Sequence, residues 1–162
     1  MDETQSMFTD SLFTEAEYFC DATLLPQVVR QKTGCCAPTC FVDAITTRCN
    51  YRLKKRCKPP LELSAQSMID CGGMYFSQTL KNHNLKPPTI HNCAKYAHHR
   101  GVYKTSVYPY TGEKERCKKP KGDRVKISSY KHVKGDVREI IRKRPLMGAI
   151  ESTEELMRIR GD

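Results

Sequence analysis

Cys40 is the residue of this sequence best suited to covalent chemistry, because it precedes Phe41 near the start of a predicted helix. The positive end of a helix dipole favours a thiolate, which is the nucleophilic form of cysteine. Thiol catalysis also requires an imidazole that accepts the thiol proton and a third group that orients the imidazole. Cys40 is therefore a candidate nucleophile that needs a histidine partner.

The helix that carries Cys40 is predicted from apolar residues at every fourth position, which form one face of a helix. A turn over residues 34–38 precedes this helix, and Pro59 and Pro60 end it. The pattern predicts a buried helix of about three to four turns with Cys40 in its first turn. The four apolar positions are Phe41, Ile45, Cys49 and Leu53.

The flanking segments carry weaker patterns. An extended segment is predicted over 24–30, Ser64 is a predicted helix N-cap, and Gly101 is a predicted helix C-cap. Lys118 to Gly122 is a polar connection that could separate two lobes. Further elements are predicted as helices at 74–80, 92–99 and 136–144 and as strands at 125–127 and 146–150.

Charge is distributed unevenly along the chain. Residues 1–29 hold six acidic side chains and no Lys or Arg, whereas residues 30–162 hold 28 basic and 12 acidic ones. A basic surface can attract nucleic acid. The basic residues are scattered, however, and no recognisable nucleic-acid module contains them, so a solvated surface is the favoured interpretation. Nucleic-acid binding stays an alternative. Separately, no apolar run in the sequence has the length of a membrane span.

Nine cysteines are many for a chain of this length, and they indicate either an oxidising compartment or a metal site. Their odd number leaves one thiol unpaired if all the others pair. A zinc site is the main chemical alternative, although no two matching Cys-x-x-Cys pairs occur. Its candidate ligands are Cys35, Cys36, Cys40, Cys49, Cys57, His91, Cys93, His98 and His99.

Several blocks of sequence, in this order, resemble the mature domain of papain-like cysteine proteases from Leu24 to Gly161. The segment 25–31 is similar to the entry segment of that family, and Cys40-Phe41 is similar to its Cys-Trp pair. Residues 63–71, Leu-Ser-Ala-Gln-Ser-Met-Ile-Asp-Cys, resemble its Leu-Ser-x-Gln-x-Leu-x-Asp-Cys motif. The segments 101–112 and 145–150 resemble later parts of the family domain, and the spacing from Cys40 to Cys71 matches that of the family.

The resemblance implies roles for individual residues. Cys40 would be the nucleophile, Gln31 would donate its side-chain amide to the oxyanion, and Gly72 and Gly73 would form a wall of the substrate cleft. It also implies a disulfide between Cys71 and Cys117, while a second one between Cys36 and Cys93 is a weaker expectation. The sequence departs from the family at three places: three extra residues separate Gln31 from Cys40, Phe41 replaces a tryptophan, and Asp43 replaces an aromatic residue.

The family takes its catalytic histidine and asparagine from late in the domain. None of the five histidines here, His83, His91, His98, His99 and His132, occupies the matching position. We therefore expect an inactive homologue of a cysteine-type peptidase, with a non-catalytic interaction or inhibitory fragment as the alternative. The implied partner is a peptide or protein substrate, and a second expected partner is another protein that covers an incomplete lobe. No membrane, cofactor or metal is expected.

The implied fold class is α+β and papain-like, with Cys40 at the start of a central helix of the helical lobe and with an incomplete β-barrel lobe. The predicted organisation is an acidic leader over residues 1–23, the helical lobe over 24–122 and the first part of the β-rich lobe over 123–162. The N-terminal residues lack the pattern of a signal peptide, so the chain as written is expected in the cytoplasm. The family itself is typically lysosomal, vacuolar or extracellular.

Overall fold

The computed structural model describes residues 22–30, 36–73 and 89–148. Residues 1–21 of the leader predicted over 1–23 lie outside these ranges, as does the predicted helix at 74–80. In chain order the elements are a 3-10 turn at Ala22–Leu24, α1 at Cys36–Lys54, α2 at Ala65–Cys71, α3 at Ile90–His99, β1 at Val102–Tyr103, β2 at Arg124–Val125 and α4 at Arg138–Ile141.

Helix α1 begins earlier and is longer than the sequence predicted. It starts at Cys36 and has 19 residues, which is about five turns. The predicted turn over 34–38 is wrong for residues 36–38, because Pro38 lies in the first helical turn. A proline is tolerated there, since the first N–H groups of a helix have no intrahelical acceptor. Cys40 therefore lies in the second turn and not in the first.

Helix α1 ends in two crossed backbone hydrogen bonds. Lys58 N donates to Leu53 O at 3.0 Å, and Cys57 N donates to Lys54 O at 3.0 Å. This pair of bonds is the Schellman arrangement, in which the residue after the C-cap adopts the left-handed conformation. Cys57 occupies that position with φ of 52°, although glycine is the usual residue there.

The buried face of α1 is more polar than the predicted apolar stripe. Thr46 and Asn50 are buried, as are the apolar residues Pro38, Phe41 and Val42. Asn50 is satisfied on both sides of its amide: its Nδ2 donates to Leu24 O at 3.1 Å and its Oδ1 accepts from Leu61 N at 2.8 Å. Asn50 thus joins α1 to two segments that are remote from it in sequence.

The N-caps of the next two helices explain where they begin. Ser64 Oγ accepts from Ser67 N at 3.1 Å, which confirms the predicted N-cap of α2. Thr89 Oγ1 accepts from Asn92 N at 3.2 Å at the start of α3. The C-cap of α3 is Arg100 and not Gly101 as predicted. Gly101 is the next residue and ends the helix with φ of 77°.

The core lies where α1, α2, α3 and β1 meet. Buried Val42, Met68, Ala97 and Val102 belong to one contiguous apolar cluster. Strands β1 and β2 pair antiparallel, with Val102 opposite Val125 and Tyr103 opposite Arg124. Because α1 packs against both α2 and α3, the helix that carries Cys40 is anchored on its buried side while Cys40 itself is exposed.

The C-terminal part contains less regular structure than predicted. The predicted strand at 125–127 is represented by β2, and the predicted helix at 136–144 is shortened to α4. Residues 146–148 are not in a strand, and no neighbouring strand among the described residues offers them a ladder, whereas residues 149 and 150 lie outside the description. The division into a helical and a β-rich lobe stays a prediction. No helix within the described ranges is long and apolar enough to cross a membrane.

Candidate active site

Cys40 projects from the exposed side of α1 and has a free thiol. Within a helix, a backbone N–H donates to the carbonyl four residues earlier. Because α1 starts at Cys36, the N–H of Cys40 is expected to point along the helix axis toward the carbonyl of Cys36. The favourable field of a helix dipole also falls off beyond the first turn. The surroundings of Cys40 therefore differ from those predicted for a thiol at a helix start.

Gln31, the predicted oxyanion donor, lies outside the described residues, as does Cys35. The segment just before Gln31 is anchored at two points. Tyr110 donates its hydroxyl to Arg30 O at 3.2 Å, and Gln27 N donates to Glu62 Oε1 at 3.2 Å. The role of Gln31 stays a prediction.

The histidines of α3 are occupied by other contacts. His98 Nδ1 lies 2.9 Å from Ile127 O, and because a carbonyl oxygen only accepts, Nδ1 carries the proton. The ring of His91 packs edge-on against Tyr130 at 5.7 Å, and His99 packs against His98 at 5.3 Å. Over the described ranges, no hydrogen bond joins the Cys40 thiol to an imidazole.

Gly72 and Gly73, the predicted cleft wall, follow α2. Gly72 is the C-cap of that helix with φ of −73°, and its N–H donates to Met68 O at 2.9 Å. A Cβ added at Gly73 would meet no heavy atom within 4 Å. The backbone of Gly72 has a conformation that any residue adopts, and the space at Gly73 is open. A role of the two glycines in substrate binding stays a prediction.

A buried polar network connects α2 to the segment that follows β1. Gln66 Oε1 accepts from the N–H groups of Thr111 and Gly112, both at 3.1 Å, and its Nε2 donates to Glu113 O at 2.6 Å and to Asp70 Oδ1 at 2.9 Å. Gln66 and Asp70 are the Gln and Asp of the motif at residues 63–71. They lie four residues apart on one helix face, which is the signal that could have predicted this structural role.

Asp43 lies one turn after Cys40 on α1 and has an unusual environment. Burial, followed by the nearby charge of Glu62, raises the pKa of Asp43 to about 6. A carboxyl group with such a pKa could exchange protons near neutral pH. No described contact joins Asp43 to Cys40, however. Its raised pKa therefore comes from burial and from Glu62, and not from an acid–base pair with the thiol. The departure of Asp43 from the family is visible in the sequence, whereas its burial and its proximity to Glu62 are not.

The cysteines separate into one bonded pair and several free thiols. Cys71 and Cys117 form a disulfide with a Cα–Cα distance of 4.7 Å, as the resemblance implied. The expected second bridge does not form: Cys36 is exposed at the start of α1 and Cys93 is buried on α3, and both are free. Burial, followed by the neighbouring Cys36, raises the pKa of Cys93 to about 12, so its thiol stays protonated and poorly reactive.

The alternative of a zinc site has no support in the described ranges. There, no group of three or more His, Cys, Asp or Glu side chains is arranged to hold a metal ion. The described candidates are dispersed instead: Cys49 is half-buried on α1, Cys57 ends that helix, and Cys93 lies in the core.

Comparison with known proteins decides the family. A family model described as papain family cysteine protease matches residues 21–159. The chain belongs to this family. The papain-family assignment confirms the resemblance derived from the sequence, and it agrees with the predicted α+β papain-like fold, of which the described residues show mainly the helices.

The relatives of this papain-family chain are distant and longer. Peptidase 1 of the mite Dermatophagoides pteronyssinus is 26% identical over 102 residues, which are 63% of this chain and 29% of the relative. Peptidase 1 of Dermatophagoides farinae has the same identity and coverage. The matched region is thus less than a third of these curated relatives.

Solved structures of similar proteins include a mite allergen from a study of antibody cross-reactivity between Blo t 1 and Der p 1. It has a TM-score of 0.48 and 21% identity over 64% of this chain and 33% of that chain. The Carica candamarcensis cysteine protease CMS1MS2, in complex with E-64, has a TM-score of 0.45 and 22% identity over 63% of this chain and 45% of that one.

Proposed function

We propose that the polypeptide of residues 1–162 is a homologue of thiol-dependent peptidases that does not itself hydrolyse peptide bonds. The position of Cys40 in α1 carries this proposal. An oxyanion is stabilised by N–H groups that point at it without reorganisation, and the helix that begins at Cys36 directs the N–H of Cys40 into the helix instead.

The environment of the thiol supports the same proposal. The imidazoles of His91 and His98 contact Tyr130, and His98 also holds Ile127 O. An imidazole must come within hydrogen-bond reach of the sulfur to act as a general base, and such catalysis contributes about 10²–10⁴-fold to a rate. Cys40 without such a partner behaves as an ordinary exposed thiol.

The test uses the chain of residues 1–162, a fluorogenic dipeptide substrate and an active-site-directed epoxide. We expect no turnover above a Cys40→Ala control, and no epoxide adduct on Cys40 by mass spectrometry. Turnover that disappears in Cys40→Ala would overturn the proposal.

A second measurement compares Cys40 with Cys57, another exposed free thiol, which lies just after the end of the same helix. Iodoacetamide labelling of both residues is followed by peptide mass spectrometry between pH 5 and pH 9. We expect the two thiols to be labelled with similar pH dependence, since neither has an imidazole partner within the described ranges. Labelling of Cys40 at pH 5 that is at least tenfold faster than that of Cys57 would indicate an activated thiolate and contradict the proposal.

A further inference from the structure

A small cavity of about 230 Å³ is lined by residues outside α1, the helix that carries Cys40. Its walls come from the end of α3, from the β1–β2 pair and from the segment attached by the Cys71–Cys117 disulfide. Tyr96 and Tyr103 line it and are each only 2% exposed. The cavity therefore rests on two buried tyrosines, and the disulfide fixes one wall.

Four of the residues that line this cavity are cationic, and none is acidic: Arg100, Lys118, Lys119 and Arg124. Lys118 pairs with Glu115 at 2.7 Å, and both side chains are well exposed. In the described part of the chain, no ion pair neutralises Arg100, Lys119 or Arg124. Like charges that converge on one concave site repel one another unless an anion joins them.

Arg124 is held in a fixed position at this cavity. Its guanidinium carbon lies 4.4 Å from the centre of the Tyr103 ring, its Nη2 donates to Tyr103 Oη at 2.6 Å, and its Nη1 donates to Arg100 O at 3.4 Å. A guanidinium has five N–H donors, so three remain for a ligand. Burial raises the pKa of Tyr96 to about 12, while the charges of Arg124 and Arg100 act to lower it. Both cations are therefore close enough to act electrostatically on Tyr96, which lines the cavity.

The aromatic walls do not offer a surface for stacking a planar ligand. Arg124 covers one face of Tyr103, and the ring of Tyr108 stacks on it with a centroid distance of 5.9 Å. The ring of Tyr96 is almost fully buried. The polar part of the cavity surface is small, so recognition at this site depends on the charged ends of the four cationic side chains. A cavity of this volume is smaller than the approximately 300–1,000 Å³ of typical small-molecule sites, and it suits a single charged group.

We propose that this basic cavity binds a tetrahedral oxyanion, namely the phosphate or sulfate group of a small molecule. The ammonium groups of Lys118 and Lys119 and the guanidinium groups of Arg100 and Arg124 supply the donors, and hydrogen bonds between such cations and an oxyanion are among the strong ones in proteins. The cavity is separate from the thiol chemistry of Cys40, so the proposal stands whether or not the chain hydrolyses peptides.

The test measures binding to the oxidised chain of residues 1–162 by isothermal titration calorimetry at constant ionic strength. The probes are inorganic phosphate, inorganic sulfate, glucose 6-phosphate and N-acetylglucosamine 6-sulfate. We expect saturable binding of at least one probe at one site per chain. Tighter binding of the phosphate ester identifies a phosphorylated ligand, and tighter binding of the sulfate ester identifies a sulfated one. Absence of saturable binding by all four probes would overturn the proposal.

Matched variants distinguish binding at this cavity from non-specific binding through the overall positive charge. Arg100→Gln with Lys119→Gln removes two cavity cations and should weaken binding at least tenfold. Lys95→Gln with Lys134→Gln removes two exposed cations outside the cavity and should change affinity less than twofold. An equal loss in both double variants would reject the cavity as the site. If the first double variant fails to fold, the single variant Lys119→Gln, at an exposed residue, should still weaken binding at least threefold, and an unchanged affinity would reject the proposal.

Discussion

Tyr108 donates its hydroxyl hydrogen to Asp70 Oδ2 at 2.7 Å across 38 residues of sequence. The same hydroxyl oxygen accepts from Lys118 N at 3.2 Å, and Asp70 Oδ1 accepts from Glu115 N at 2.7 Å. Both side chains are buried. One carboxylate and one phenol therefore attach the segment after β1 to α2 and hold it beside the Cys71–Cys117 disulfide.

Replacing Tyr108 by phenylalanine should destabilise the chain by about 1–3 kcal/mol, because it leaves a buried carboxylate oxygen and a backbone N–H without this partner. Urea unfolding followed by circular dichroism measures the change. Tyr130→Phe is the matched control, since Tyr130 is 41% exposed and its ring contacts with His91 and His98 are kept. A loss as large in Tyr130→Phe as in Tyr108→Phe would contradict this explanation.

Asp43→Asn should stabilise the chain at pH 7.5 and reduce the pH dependence of its stability. The pKa of Asp43 in the folded chain is about 6, against 3.8 for an ordinary Asp, so the folded state binds more protons between these values and stability falls as pH rises from about 4 to 6. Because Asp43 is only half-buried and solvent screens its charge, we expect a gain of about 1 kcal/mol, or about 2–4 °C in Tm.

The measurement for Asp43 is Tm at pH 4.5 and at pH 7.5. Asp136→Asn serves as the control, because hydrogen bonds from Arg138 lower the pKa of Asp136 to about 2. The stabilisation from ionised Asp136 is lost only as pH falls below about 4. The change in Tm between pH 4.5 and pH 7.5 should therefore be the same in Asp136→Asn as in the wild type. If the Tm of Asp43→Asn changes with pH as much as that of the wild type, a group other than Asp43 causes the pH dependence.

Cys57→Gly should stabilise the end of α1. Cys57 has φ of 52°, a conformation that costs a residue with a Cβ about 1–2 kcal/mol. Glycine avoids this cost but loses more chain entropy on folding, so a net gain of about 0.5–1 kcal/mol is expected. Thermal unfolding under reducing conditions gives the change, with Cys57→Ala as the control that removes the thiol and keeps the Cβ. Equal stabilisation by both substitutions would point to the thiol and not to the backbone.

Loss of the disulfide should lower the free energy of unfolding by about 4 kcal/mol in the chain-entropy model, since the bond closes a loop with a sequence separation of 46 residues. The double variant Cys71→Ser with Cys117→Ser is compared with the oxidised parent by urea unfolding. Cys57→Ser, which removes a free thiol, should leave the midpoint nearly unchanged. A midpoint in the disulfide variant equal to that of the parent would show that the loop is already constrained in the unfolded chain.

The parts of the fold predicted correctly are those governed by local chemistry. Ser64 was identified as an N-cap and Gly101 as a helix end, because a side-chain acceptor and a flexible backbone act within a few residues. The start of α1 was misplaced since Pro38 was interpreted as a turn residue, although a proline fits equally well in a first helical turn.

The site was harder to predict because its properties depend on contacts between distant segments. Cys40 is an exposed free thiol on α1, as is Cys36, and its position in the second turn follows from where α1 begins. Its role as a nucleophile stays a prediction. The hydrogen bonds of Gln66 to residues 111–113 and the effect of Glu62 on Asp43 join residues far apart in the chain. Periodicity and spacing carry no information about such pairs.

Asn50 has a consequence for how the molecule opens. Its single amide holds the carbonyl of Leu24 and the N–H of Leu61 at the same time, so neither segment can detach without breaking a bond to the middle of α1. The amide proton of Leu61 should therefore exchange with solvent only when this whole assembly opens as one cooperative unit, which makes it a reporter of that event at a single atom.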